Sequence, residues 1–214
     1  GAMAEFAWVD ADEIVKALRM VKDKSELDSM QKAAELADFG VDLARKMLEP
    51  NKRAVDIAAE IERRLKSKGA EAVSMALATG VDTSVPHAGT STRIIEEGDL
   101  AWLDLCVRVD GYWADITRTY AIGTIHDELR HIYEVVLEAQ ERARLAAKPG
   151  MSGADIDSLA RDVIDSYGYG QAFIHRTGHG LGLEIHEEPY VVSSNNVPLP
   201  LGSVVTIEPG IYLA

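Results

Sequence analysis

The chain has 214 residues, 47% hydrophobic and 27% charged, which suits one sizeable globular domain with a packed core. Its 22 Lys and Arg against 35 Asp and Glu leave a formal net charge of −13, a field that disfavours nucleic acid or an anionic membrane as partner. One cysteine, Cys106, allows no intrachain disulfide and points to a reduced, cytoplasmic setting, and no apolar run approaches the roughly 20 residues needed to cross a bilayer.

In chain order, Gly1-Ala2-Met3 reads as an expression scar and is set aside. Ser25-Glu26-Leu27-Asp28 fits a capping box and opens a helix predicted over 25–48, which Pro50 ends. A second helix is predicted over 53–68 and stops at Gly69, the usual left-handed cap residue. The stretch 72–79 reads as a buried strand, followed by a polar loop through Pro86, His87 and Gly89. Strands are predicted over 100–109 and 112–122, joined by Asp110-Gly111, a strong two-residue hairpin signal. Helical periodicity returns over 127–147, breaks at Pro149-Gly150 and resumes over 154–167, before Gly168. The remainder, with Gly178, Gly180, Gly182 and the apolar run 204–207, reads as strands and turns. No linker or low-complexity stretch divides the chain.

The order helix, helix, strands therefore occurs twice. A constant offset maps Ala44-Arg45 onto Ala143-Arg144, Pro50 onto Pro149, Asp56 onto Asp155, Ile57 onto Ile156, Ser67 onto Ser166 and Gly69 onto Gly168. It also maps His87 onto His186. Shared helical composition does not readily match the Pro and Gly breakers as well, so the pattern reads as a decayed duplication of one αα-plus-β unit.

The hairpin turn sets a register. With Val109 opposite Tyr112, Cys106 pairs with Asp115 and Asp104 with Thr117, and period-two alternation puts all four side chains on one face. Asp104 and Asp115 are then diagonal neighbours, within roughly 7–8 Å at the backbone. Two acids converging opposite the apolar face of Leu103, Leu105 and Val107 repel unless a cation lies between them. A polar face turned to water is the other reading of this pattern.

The segment from Phe173 to Pro189 holds His175, His179 and His186, half of the chain's six histidines. Glycines on both sides of His179 permit close backbone approach to an ion or substrate. The odd spacing of His179 and His186 would put them on opposite faces of a regular strand, so they converge only through a bulge or turn. His186-Glu187 lacks the second histidine of a helical zinc-protease motif, because position 190 is Tyr. The glycine spacing is not a dinucleotide fingerprint, no G-x-S-x-G elbow occurs, and Cys106 on a strand reads as structural. Glu208 ends the apolar run 204–207, where a solvated strand-end carboxylate is the plain alternative.

Leu103-Asp104, the stretch from Gly111 to Thr119, the GHGLGLEIHEEP segment and TIEPGIY together resemble the creatinase and methionine aminopeptidase family, closest to its Xaa-Pro dipeptidase (prolidase) and aminopeptidase P branch. The resemblance covers almost the whole chain, with four motifs in the family's order. It implies an α+β pita-bread fold, two pseudo-twofold related halves with a curved antiparallel sheet, as one metallopeptidase catalytic domain over 4–214. It implies Asp104, Asp115, His179 and Glu208 as ligands of two divalent metal ions (Mn, Co, Fe or Zn), with Asp115 bridging. It also implies His87, His175 and His186 as catalytic histidines that contact substrate or stabilise the tetrahedral intermediate, with Tyr212 in support. The implied reaction is removal of an N-terminal residue before proline from a small peptide, and the implied assembly is a homodimer, for which the sequence offers no interface.

Three departures stand out. The family continues after TIEPGIY to a further bridging glutamate, expected here beyond Ala214. The family's N-terminal domain is not expected within these residues, and the stretch from Trp8 to Lys22 resembles that domain's end and its connector. Cys106 stands where the family commonly has Gly. A methionine aminopeptidase, which lacks that N-terminal domain, and a non-catalytic peptide-binding module are the alternatives; four retained ligands argue against the second.

Overall fold

The structure is a computed structural model that describes residues 9–213. The expected scar at Gly1-Ala2-Met3, Trp8 and Ala214 lie outside the described residues. Helix α1 (Asp12–Met20) occupies the stretch that sequence reading assigned to a connector, and none of its residues is buried. The N-cap of helix α2 (Lys24–Met47) lies two residues earlier than the predicted one. Asp23, not Ser25, is the N-cap: its carboxylate accepts the Glu26 amide at 2.9 Å, and the Glu26 side chain accepts the Asp23 amide at 2.7 Å. A carboxylate at this position satisfies an orphan donor and complements the helix dipole. Ser25 instead donates its hydroxyl to Asp23 at 2.7 Å.

After Pro50, helix α3 (Ala54–Ser67) ends one residue before Lys68, and Gly69 takes φ +105°. Strands β1 (Ala72–Thr79), β2 (Leu100–Val109) and β3 (Tyr112–Ala121) form an antiparallel sheet in that order. Asp110 (φ 50°) and Gly111 (φ 83°) are both left-handed, as a tight primed turn demands. The register is the predicted one: Val109 faces Tyr112, Cys106 faces Asp115 and Asp104 faces Thr117. Leu103, Leu105 and Val107 point the other way and pack with Leu77 against Ile57, Ile61 and Leu65 in a first core. Gly40 lets α2 lie flat on that core, since a Cβ there would collide with the Leu105 side chain.

The second half builds its own core from α4 (Asp127–Ala146) and α5 (Gly153–Ser166). Val135, Ala139, Ile156, Val163 and Ile164 meet Phe173 and Val191 there. The offset read in the sequence superimposes the limits of α3 on those of α5, and Gly168 (φ 84°) repeats the Gly69 cap. The strands diverge: β4 (Gly178–Gly180) pairs with β5 (Glu187–Val191) in a two-stranded sheet with a register shift between Gly178 and Gly180. The run 204–207, expected as a strand, forms only an isolated bridge from Val205 to Gly180. It nevertheless lies along β4, with Thr206 N donating to His179 O and Glu208 N to Thr177 O, both at 2.8 Å. Glycine-rich β4 is too short to give it a regular ladder. The fold is α+β, and no helix among the described residues is long and apolar enough to cross a membrane.

Candidate metal centre

Asp104 and Asp115 reach one cluster because β2 and β3 are locked by their turn. The Thr117 hydroxyl, directly across from Asp104, donates to Asp104 Oδ1 at 3.0 Å and fixes that carboxylate. One ligand atom each from Asp104, Cys106 and Asp115 lies within 4.8 Å of the others.

The second half supplies the rest. His179 sits on β4 at 2% exposure. Its Nδ1 lies 2.9 Å from the Gly180 carbonyl, which can only accept, so Nδ1 carries the hydrogen and Nε2 is turned to the carboxylates. Nε2 is 3.1 Å from Glu208 Oε1 and 3.5 Å from Asp115 Oδ2. Thr206 serves both partners: its hydroxyl accepts the His179 amide at 2.9 Å and donates to Glu208 Oε1 at 3.0 Å. Gly178 permits this approach, since a Cβ there would strike the Thr206 carbonyl.

The electrostatics follow from crowding. Burial, then Asp104 and Glu208, push the Asp115 carboxyl up to about 7. Burial also raises Asp104, against the Thr117 hydrogen bond. Glu208 Oε1 and His179 Nε2 face each other at 3.1 Å. Burial opposes charge on each, yet their mutual contact lowers the carboxyl and raises the imidazole. Three carboxylates and one imidazole gathered in this way form the oxygen and nitrogen donor set that divalent ions take. A cation would relieve the repulsion that raises the two aspartates.

The outer histidines are placed differently from one another. His186 packs edge-on to His179 with ring centroids 4.3 Å apart; it lies in the bend between β4 and β5, where the chain reverses, so the two do not share one regular strand and their odd spacing does not separate them. His175 places Nδ1 2.7 Å from the Arg176 carbonyl and Nε2 3.2 Å from the Tyr212 hydroxyl. Burial lowers the pKa of both rings, and His179 and Arg176 lower His186 further. His87 is exposed in the loop after β1, and only its charge reaches His175 and His186.

Several supporting residues escaped sequence reading. Asp157, 1% exposed, holds Arg161 through two hydrogen bonds of 2.9 and 3.0 Å and accepts the Thr177 hydroxyl at 2.7 Å. Arg161 in turn donates to the carbonyls of Phe173 and His175, each at 3.1 Å. Helix α5 thereby braces the segment that carries His175 and pairs with Glu208. The four-residue spacing of Asp157 and Arg161 was the available signal.

The sequence model of the family described as Metallopeptidase family M24 matches residues 28–214. An Xaa-Pro dipeptidase of Pyrococcus furiosus is 45% identical over 94% of this chain and 59% of its own length. One of Pyrococcus horikoshii is 41% identical over 94% of this chain and 58% of its own length. Among solved structures, the prolidase from Pyrococcus furiosus matches with TM-score 0.93 at 45% identity, covering 94% of this chain and 60% of that one. An X-Pro aminopeptidase from Thermotoga maritima matches with TM-score 0.91 at 40% identity, covering 94% and 58%. These neighbours carry the pita-bread fold, and this chain shares it. The chain spans less than two thirds of the length of each of these relatives.

Proposed function

Because the chain belongs to metallopeptidase family M24, we propose that it is the catalytic part of a metal-dependent exopeptidase that hydrolyses the bond between an N-terminal residue and proline in small peptides. The observation that carries this reading is the meeting of Asp115, His179 and Glu208 across the two halves, with Asp104 beside them. Support for the substrate comes from relatives named Xaa-Pro dipeptidase at 45% and 41% identity.

In this reading Asp104, Asp115, His179 and Glu208 hold two divalent ions from the set Mn, Co, Fe and Zn. Such ions, when bound, polarise a scissile carbonyl and make water nucleophilic at neutral pH. The remaining work falls to side chains. Thr117 and Thr206 orient Asp104 and Glu208, and the Gly180 carbonyl orients His179. His175 and His186, whose pKa values desolvation lowers, are available to donate a hydrogen bond to substrate oxygen, a contact worth about 2.7–4 kcal/mol in comparable sites. His87, exposed on its loop, is the third histidine available to contact the peptide. A cytoplasmic setting accords with the lone reduced cysteine.

The test is a metal-stripped chain reloaded with manganese or cobalt and offered Xaa-Pro dipeptides beside Met-Ala-Ser. Metal-restored cleavage of the Xaa-Pro substrates is expected. Turnover of Met-Ala-Ser alone would make the chain a methionine aminopeptidase, and binding without cleavage of either would make it a peptide-binding module.

A further inference from the structure

The carboxylate cluster has a sulfur member that the Xaa-Pro reading leaves without a role. Cys106 is the cross-strand partner of Asp115 and lies two residues from Asp104, so strand alternation turns all three toward the same face. The thiol is 6% exposed, and its sulfur lies within 4.8 Å of carboxylate oxygens from both aspartates. The opposite face of β2, with Leu103, Leu105 and Val107 at 0% exposure, is the apolar one. A buried thiol ordinarily behaves as a small hydrophobe. This one sits on the polar face, between the two acids proposed to hold a cation, and not in either apolar core.

We propose that Cys106 Sγ is itself a ligand of the metal centre, joining Asp104 and Asp115 and turning an oxygen and nitrogen site into a mixed site with a soft donor. The inference rests on the divalent-metal reading above. A bond forms between sulfur and the ion, the S–H bond breaks, and its proton leaves to water; no oxidant or reductant is needed. A divalent ion deprotonates a coordinating thiol outright. A thiolate shifts preference away from manganese, which favours oxygen donors, toward zinc, cobalt or iron. The centre of this chain therefore selects thiophilic ions, a choice that its three carboxylates alone do not make.

The experiment uses the whole 214-residue chain, stripped with a chelator and titrated with cobalt(II) alone. Bound cobalt is counted by metal analysis after desalting, and near-ultraviolet absorption is recorded. Because Cys106 is the chain's one cysteine, a thiolate-to-cobalt charge-transfer band has a single source. The expected result is a band that grows with bound cobalt and is lost in Cys106→Ser at saturating cobalt. X-ray absorption of the zinc-loaded wild type, which needs no variant, is expected to give a sulfur neighbour at about 2.3 Å. Cobalt retained with neither band nor sulfur shell would overturn the role of Cys106 and leave the metal reading standing, the thiol then being only a hydrogen-bond donor to Asp115. Failure to retain any cobalt would overturn the metal reading and this inference with it.

Discussion

Lys22 Nζ lies 2.7 Å from Glu187 Oε1, with the two side chains 1% and 6% exposed and 165 residues apart in sequence. Arg19 reaches the other oxygen of the same carboxylate at 2.7 Å. The segment leading into α2 is thus riveted to the first residue of β5, immediately after His186. Removing Lys22 leaves the buried Glu187 carboxylate with Arg19 as its remaining cation. Lys22→Ala is expected to lower stability by about 1–3 kcal/mol in urea unfolding, since one of the two cations on Glu187 is kept. The double change Lys22→Met with Glu187→Leu should recover much of that loss, since no fully buried charge then remains and Arg19 keeps Glu184 at 3.1 Å.

The same pair sets a pH dependence. Burial opposes ionisation of Glu187, but hydrogen bonds from Lys22 and Arg19 outweigh it and hold the carboxyl below its ordinary 4.5. A depressed carboxyl contributes stability that is complete above the unfolded value and disappears as pH falls through the folded one. The stability gap between wild type and Glu187→Gln is therefore expected to be widest above pH 4.5 and to narrow on acidification. Unfolding curves at a series of pH values measure it, and a gap that widens toward acid would contradict this account.

Asp115 carries the opposite sign. Its carboxyl is raised to about 7 by burial and by Asp104 and Glu208, so in the metal-free chain its charge is a burden. Asp115→Asn is expected to leave the metal-free protein at least as stable near neutral pH. The variant should also fail to retain a divalent ion and should lose metal-dependent cleavage. Thermal unfolding with and without metal separates these effects, and unchanged turnover would refute the proposed role.

Gly178→Ala tests the seam between β4 and the Glu208 segment. A Cβ there meets the Thr206 carbonyl, which is backbone and cannot rotate away. The expected cost is about 1–3 kcal/mol, as for overpacking elsewhere. Metal retention should weaken as well, because Thr206 holds both His179 and Glu208. Wild-type metal affinity in a destabilised variant would detach the seam from the site.

What could be read from the chain was local. The Asp110-Gly111 turn fixes a register, and register with period two places Asp104, Cys106 and Asp115 on one face; the structure repeats that pairing. Helix limits were legible because Pro and Gly act on their own neighbourhoods, and the α3–α5 repeat was legible for the same reason. Even there the cap of α2 was misplaced, because Asp23 and Ser25 are both good caps and only the backbone distinguishes them. The connector stretch hid α1 because none of its residues is buried.

The rest depended on contacts between distant segments. No periodicity predicts that His179 and His186 meet, since their odd spacing argues against it; the bend after β4 turns the chain back and brings the rings together. Nor does any local signal join Glu208 to His179, Lys22 to Glu187, or Asp157 to Thr177. Sequence by itself determined which residues had the chemistry and which face of the hairpin they shared, because turn sterics and side-chain alternation act over a few residues. Tertiary structure alone decided that the two halves present those groups to each other, because that meeting depends on how closely glycine backbones and buried ion pairs let separate segments pack.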